Sequence, residues 1–428
     1  MLNKSRYSGV IPSLFLVALA GLIAPTGGWA QESTESAVQN DEKIYKLDYT
    51  ANFKPAEGIV RMTITVRQPR RLLRGVQISA DPARYRMFES NQPIEEIDGT
   101  VTWLPSKSGG TLTYQVVLDY ERNGDGFDSI MKSGWAVFRG DDLVPPVKTR
   151  SVKGAKSKSR LRMTGPEDWS FITAYEKSIK KSDWLIVDWP NRKFDRPIGW
   201  MAAGSLGVRW EDIDETRLAI AGPTGQGIRR MDMAAFLRWN LPTLKDIFPV
   251  FPHRLLIVSA GDPMWRGGLS GPNSLFIHAD RPLISANGTS TLLHELVHVA
   301  QPYRAEPGED WIIESMAEYY SLEIMRRSGT ISERRFELGL EQLESWSSEA
   351  EKLQADESSG SRTAKGVAVM HALDGELKEV SGGKLSLDDV VRQLCEQRTT
   401  ISLEKLRQTA EALAGEPLGS LPSKASAY

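Results

Sequence analysis

His294-Glu295-Leu296-Val297-His298, followed after fifteen intervening residues by Glu314, decides how the rest of the chain is read. An α-helix turns about 100° per residue, so side chains at i and i+4 stand on one face, one turn apart. Two imidazoles placed that way can share a single Zn2+, and Glu295 beside them reaches a water held by the metal. A third ligand from a second helix leaves one coordination position open, which separates a catalytic zinc from a structural one. The 428-residue chain has five histidines, and this motif takes two of them.

The surroundings favour a helix. Leu292, Leu293, Leu296, Val297 and Val299 supply apolar faces, and no Gly or Pro interrupts before Pro302. Thr289 or Ser290 is placed to cap its start, and the helix is expected to run to about Gln301. Trp311 to Tyr320 reads as a second helix, with Pro302, Pro307 and Gly308 in the turn between the two. Glu314 is the expected third ligand, ahead of Glu306 and Glu309 in the loop. Glu318 shares the face of Glu314 and is placed to accept a hydrogen bond from a ligand imidazole, fixing its tautomer. The plainer alternative for Glu318 is an exposed carboxylate on an amphipathic helix. Glu295 is the expected general base, moving a proton from the attacking water to the leaving amine. A chance H-E-x-x-H in a chain this long has a probability on the order of one per cent; in that case both histidines are structural.

The start of the chain resembles an export signal. Lys4 and Arg6 precede an apolar run from Val10 to Ala24, and Gly28-Trp29-Ala30 offers small residues for cleavage. That run is short for a spanning helix, which needs about 20 residues, and no second one of its length follows. A periplasmic or secreted chain with no stable membrane span is expected. The formal net charge of −2 argues against nucleic acid as a partner. The single Cys395 excludes an intramolecular disulfide, so a buried, inert thiol is expected.

Residues 31–43 are polar and read as a flexible lead-in. From 44 to 213, short alternating segments such as 59–66 and 111–120, separated by Gly, Pro and Asn-Gly turns, predict an antiparallel β-sandwich-like domain. The basic stretch Val147 to Arg162 reads as a solvated loop or edge strand. Strand-like pieces, including Trp184 to Trp189, follow it. From 214 onward the pattern becomes mixed and then mainly helical. Strands are expected at 216–221, 254–259 and 274–278 and a helix at 231–246, with Gly267 to Pro272 as a loop. Residues 416–428 form a tail. The class is therefore α+β. His371 is expected in the core on the face of Val367, Met370 and Leu373; His253 has no motif around it. Asn287-Gly288-Thr289 reads as the turn before the motif helix.

His294-Glu295-x-x-His298 with Trp311-x-x-Glu314 and Tyr319-Tyr320 resembles the gluzincin metallopeptidases, the glycyl-aminopeptidase-like family most and the aminopeptidase N family more distantly. Glu314 to Tyr320 partly keeps that family's E-G-x-T-x-Y-Y. Lys365-Gly366-Val367-Ala368 with Leu373 to Leu377 resembles its K-G-A-L…L-D-x-x-L helix, and Ser381 to Val390 the G-G-x-x-S-L-D-D-V segment after it. The likeness runs from roughly 215 to 415. It implies a thermolysin-like, mainly helical zinc-metallopeptidase domain over 214–415. One Zn2+ would be held by His294, His298 and Glu314, with Glu295 as base and a peptide or protein as substrate.

Three departures are visible. The tyrosine that the family uses as oxyanion donor is Thr363 here, leaving Tyr319, Tyr320 and His278 as substitutes to weigh. The family's G-G-L-E-H-type substrate loop reads Gly267-Gly268-Leu269-Ser270-Gly271, without the acid that would recognise a free α-amine. The C-terminal peptide-binding domain of many relatives is not expected after residue 415. Two readings follow: an exported zinc peptidase without strict aminopeptidase specificity, or a zinc-retaining, catalytically weakened envelope protein that binds peptides or a partner through the same cleft.

Overall fold

The computed structural model describes residues 43–423, apart from 123, 180–183 and 188–191. The expected export signal, all but the last residue of the lead-in, Asn123, Asp188, Trp189 and residues 424–428 of the expected tail lie outside the described residues.

Period-two burial builds the first half. Ile59–Arg67 buries Val60, Met62, Ile64 and Val66 and turns Arg61 and Arg67 outward; Gly109–Val116 does the same with Leu112, Tyr114 and Val116. These strands pair antiparallel, with Met62 opposite Tyr114. They lie in a seven-stranded sheet, accompanied by four- and five-stranded sheets built from residues between Leu73 and Gly204. The pairing is not purely antiparallel, as expected from alternation: Ile44–Lys54 runs parallel to Lys156–Thr164. That second strand also corrects the reading of the basic stretch. It is an interior strand burying Ser157, Ser159 and Leu161, and Arg160 bonds the Asp48 carboxylate at 2.8 Å. Only Val147–Ser151 lies at a sheet edge.

The second half begins inside a hairpin. Leu206–Ile213 pairs along its length with Thr216–Pro223, so the boundary expected at Asp214 falls in a turn. Thr216–Pro223, Arg254–Ala260 and Ser274–His278 run parallel, and the outermost strand is Gly268–Gly271, antiparallel to Ser274–His278. The glycine-rich segment expected as a loop is therefore an edge strand. A Cβ at Gly267 would meet the Trp265 ring at 2.0 Å, and one at Gly268 would meet Glu295 Cγ at 2.8 Å. Close approach, not turning, explains those glycines.

The described residues contain eight α-helices: α1 Gly140–Leu143, α2 Arg230–Ile247, α3 Thr291–Ala300, α4 Asp310–Arg327, α5 Glu333–Ser347, α6 Ser361–Val380, α7 Leu387–Gln397 and α8 Leu403–Ala414. None is long and apolar enough to cross a membrane. One buried apolar cluster spans Tyr45 to Ala203, a second Ile213 to Leu421. A third, including Trp200, Val258 and Phe276, is drawn from residues on both sides of Asp214. Cys395 is a buried free thiol, its pKa pushed up to about 11 by burial. His371 corrects the expectation of a core histidine. Val367, Met370 and Leu373 are buried, while His371 is exposed at the margin of that face, its ring 6.1 Å from that of Tyr319.

Helix α4 is fixed by buried polar partners. Tyr319 donates to Asp374 of α6 at 2.9 Å and Tyr320 to Asp388 of α7 at 3.0 Å. Arg327 reaches the same Asp388 carboxylate at 3.1 Å. An unpaired hydroxyl or charge at such depth costs several times what the paired group contributes, so these bonds fix the helix's rotation. Gly366 lets α6 approach: a Cβ there would lie 1.8 Å from Ser315 Oγ and 3.1 Å from the Trp311 ring. Gly366→Ala is expected to destabilise the protein by about 1–3 kcal/mol through overpacking, exceeding a helix-propensity gain of up to about 1 kcal/mol. Thermal unfolding checks this; an unchanged or higher midpoint would contradict the close packing of α4 on α6.

Candidate active site

The site is built where α3 crosses α4. Ser290 caps α3, its hydroxyl accepting from Leu293 N at 3.4 Å, and Leu292, Leu293, Leu296 and Val297 bury the opposite face. That leaves His294 and His298 pointing toward α4. Pro302 lies just beyond the helix end, and the chain returns as α4 from Asp310, bringing Glu314 and Glu318 against the two imidazoles.

The distances are short and mutually consistent. His294 Nε2 is 3.1 Å from His298 Nε2 and 3.2 Å from Glu314 Oε2; His298 Nε2 is 3.2 Å from Glu314 Oε1. His294 Nδ1 lies 2.8 Å from Glu318 Oε2. With the Nδ1 proton donated to Glu318, His294 Nε2 carries a lone pair. It faces a carboxylate and a second imidazole nitrogen. One proton bridges one such pair, whereas a cation satisfies all three acceptors. Donors about 2.0–2.2 Å from a tetrahedral zinc stand about 3.3–3.6 Å apart, a few tenths of an ångström wider than the separations here. The observed triangle fits an ion of that size, and among the described residues His294, His298 and Glu314 are the one group so disposed.

The electrostatics agree. Burial works against charge on His294, yet the carboxylates of Glu314 and Glu318 outweigh it and raise its proton affinity well above the ordinary value. Burial likewise disfavours the Glu314 carboxylate, but its close contacts with both imidazoles hold it well below the usual range. Glu295 is different. It is 7 % exposed, and burial raises its pKa against the opposing pull of His294 and His298; the Ser270 backbone N–H donates to it.

These groups line a cleft of about 530 Å³ with Gly267, Gly268, Leu269, Ser270, Asp310 and Ser358. Glu309, weighed as a ligand, instead accepts from Trp311 Nε1 at 3.0 Å. The oxyanion-donor substitutes are not brought in. The hydroxyls of Tyr319 and Tyr320 are bound to Asp374 and Asp388, as described above. His278 is fully buried on its strand, 3.4 Å from Asp262 and away from the cleft wall. Thr363 does border the site, sharing a side cavity of about 260 Å³ with His294 and Glu314; its hydroxyl is 3.2 Å from Ser358 Oγ.

Several cleft residues had no signal in the sequence. Arg122 and Arg281 line it, with Arg122 stacked 4.4 Å above the Trp265 ring. Asp310 accepts from Ser358 N at 2.8 Å, tying the α4 start to the segment before α6. These come from distant parts of the chain, and only the fold joins them.

No family model matches the chain, and no curated protein does. Solved structures are similar. The aminopeptidase N family protein of Idiomarina loihiensis superposes at a TM-score of 0.62 and 17% identity, over 82% of this chain and 70% of that one. The M1 zinc metallopeptidase of Deinococcus radiodurans gives 0.54 and 15%, over 87% and 90%. Native leukotriene A4 hydrolase of Saccharomyces cerevisiae gives 0.52 and 12%, over 86% and 65%. At these identities the likeness is one of fold: the chain has the α+β fold of these proteins.

Removing the Glu318 carboxylate tests the His294 tautomer. Glu318→Ala is expected to weaken zinc binding by about 10- to 100-fold, measured by competition with a chromophoric chelator. An unchanged affinity would contradict the role given to the 2.8 Å contact.

Proposed function

We propose that this chain is an exported zinc-dependent metallopeptidase, periplasmic or secreted, that hydrolyses peptide bonds by water attack with Glu295 as general base. The observation that carries the reading is the triangle of acceptors on His294, His298 and Glu314, open to a cleft that also holds Glu295. One zinc would be bound by those three residues. When bound, the ion polarises a carbonyl and brings the pKa of a water to about 7. Glu295 takes the proton of the attacking water and delivers it to the departing amide nitrogen as the C–N bond breaks. Its raised proton affinity suits both halves of that transfer. Glu318 holds the His294 ring in the orientation that leaves Nε2 free. The edge strand Gly268–Gly271 offers backbone on which an extended peptide can align.

The finer assignment follows the motifs. Lys365-Gly366 and Ser381 to Val390 support a place near the glycyl-aminopeptidase-like family, with a β-sandwich-like domain over 44–213 and a thermolysin-like domain over 214–415. Lys4, Arg6 and the apolar run to Ala24 support export. Ser270, where relatives carry an acid, supports action other than strict aminopeptidase cleavage. Glu295→Gln is expected to lower hydrolysis of a fluorogenic peptide library by about 10²-fold or more while zinc content stays unchanged. Equal rates for the two proteins would contradict the general-base role.

One observation favours a second reading, a zinc-retaining protein that binds peptides or a partner through this cleft with weakened catalysis. Among the described residues lining the cleft around Glu295 there is no tyrosine, and Thr363 is paired with Ser358. Thr363→Tyr, with the side cavity beside it, is expected to raise the hydrolysis rate by about 10² if a missing donor limits it. A wild-type rate already typical of peptidases, unaltered by the substitution, would exclude weakening at this position.

A further inference from the structure

The cleft does not end at the metal-binding triangle. Beyond His298 a second cavity of about 580 Å³ opens, and it shares Ser270 and His298 with the first. The two cavities adjoin at these residues. Their linings differ in their acids. Around Glu295 the cleft carries five carboxylates, those of Glu295, Asp310, Glu314, Glu318 and Glu357, beside Arg122 and Arg281. The far cavity has no Asp or Glu in its wall and two arginines, Arg304 and Arg398. Its remaining surface mixes apolar groups, among them Phe251, Tyr303 and Ile313, with the polar side chains of Asn273 and Gln301.

The two arginines share a wall although they are far apart in sequence. The segment after α3 and the segment after α7 are hydrogen-bonded, Ile401 N to Arg304 O and Glu306 N to Ile401 O, both at 2.8 Å. Both side chains are exposed, and among the described residues neither guanidinium has a hydrogen-bond or ion-pair partner. Arg398 is also unusual in its backbone. It ends α7 in the left-handed region at φ 49°, where glycine or asparagine is the ordinary choice.

Resting on the peptidase reading, we propose that the far cavity is a substrate subsite for a carboxylate-bearing segment, held by Arg304 and Arg398. Substrates would then carry Asp, Glu or a chain-terminal carboxylate within a few residues of the scissile bond. A guanidinium fork matches a carboxylate with two parallel N–H···O bonds. The apolar surface around the pair accepts the neighbouring side chains. An acidic segment meets two unpaired guanidinium groups and no carboxylate in this cavity.

The test uses zinc-loaded Glu295→Gln protein, which holds peptides without cutting them. Fluorescein-labelled peptides in an Ala/Leu host carry Glu at successive positions, each with a Gln twin, and each is made as the C-terminal acid and the amide. Anisotropy gives the affinities. At one position, or for the terminal acid, the charged peptide is expected to bind about tenfold tighter, and which of the two does so identifies the carboxylate's source. Adding Arg304→Gln and Arg398→Gly is expected to reduce that preference to about twofold or less while leaving the neutral twins unchanged. Glycine suits the φ of residue 398, and residue 304 is exposed, so the fold is kept. A parent protein with no preference overturns the proposal, as does a preference that survives both substitutions. A wild-type protein that cleaves nothing would defeat the peptidase reading while leaving this comparison of affinities intact.

Discussion

Acceptor groups held 3.1–3.2 Å apart repel one another unless something positive lies among them, and His294, His298 and Glu314 are held that way. The rest of the second half of the molecule can be understood as the apparatus that keeps them there. Four residues along α3 separate the imidazoles by one turn. Glu318, one turn beyond Glu314, takes the other nitrogen of His294. The rotation of α4, on which both glutamates depend, is fixed by Tyr319 and Tyr320 through Asp374 and Asp388. Each of these bonds is buried, so a turned helix would leave several polar groups unpaired. That penalty, larger than any surface ion pair supplies, makes the geometry rigid.

The glutamate between the histidines has a different environment. It lies against the edge strand rather than against α4, with Gly268 close beside its side chain and the Ser270 N–H donating to it. Burial raises its proton affinity while its neighbour Glu314 is driven the other way. Two carboxylates in one cleft are thus pushed apart, one toward permanent charge and one toward proton exchange. This is the division that metal binding and base chemistry require of them.

What was legible in the sequence was local. The i, i+4 spacing in α3 and in α4, the Ser290 cap and the apolar stripes all act within a turn or two of helix, and the structure has them in place. Long-range pairings were not legible. Tyr319 and Tyr320 looked available for catalysis until partners 55 and 68 residues away claimed their hydroxyls. The Gly267-Gly268 segment looked like a loop, because glycines that serve close approach are indistinguishable in a single sequence from glycines that serve turns. Lys156–Thr164 looked like an edge because its outward half is basic, while small inward residues, Ser157 and Ser159, hid a central strand. Arg122 and Trp265 lie on the cleft wall only because regions far apart in the chain fold against each other.

The central claim is that the triangle exists to hold a cation. Metal analysis of the purified, folded full chain after equilibration with zinc and removal of excess tests it directly. One zinc per chain, lost when His298 is replaced by alanine in a protein that still folds, is the result expected from three converging acceptors. A folded wild-type chain that retains no metal, or one whose metal is unaffected by that replacement, would contradict it.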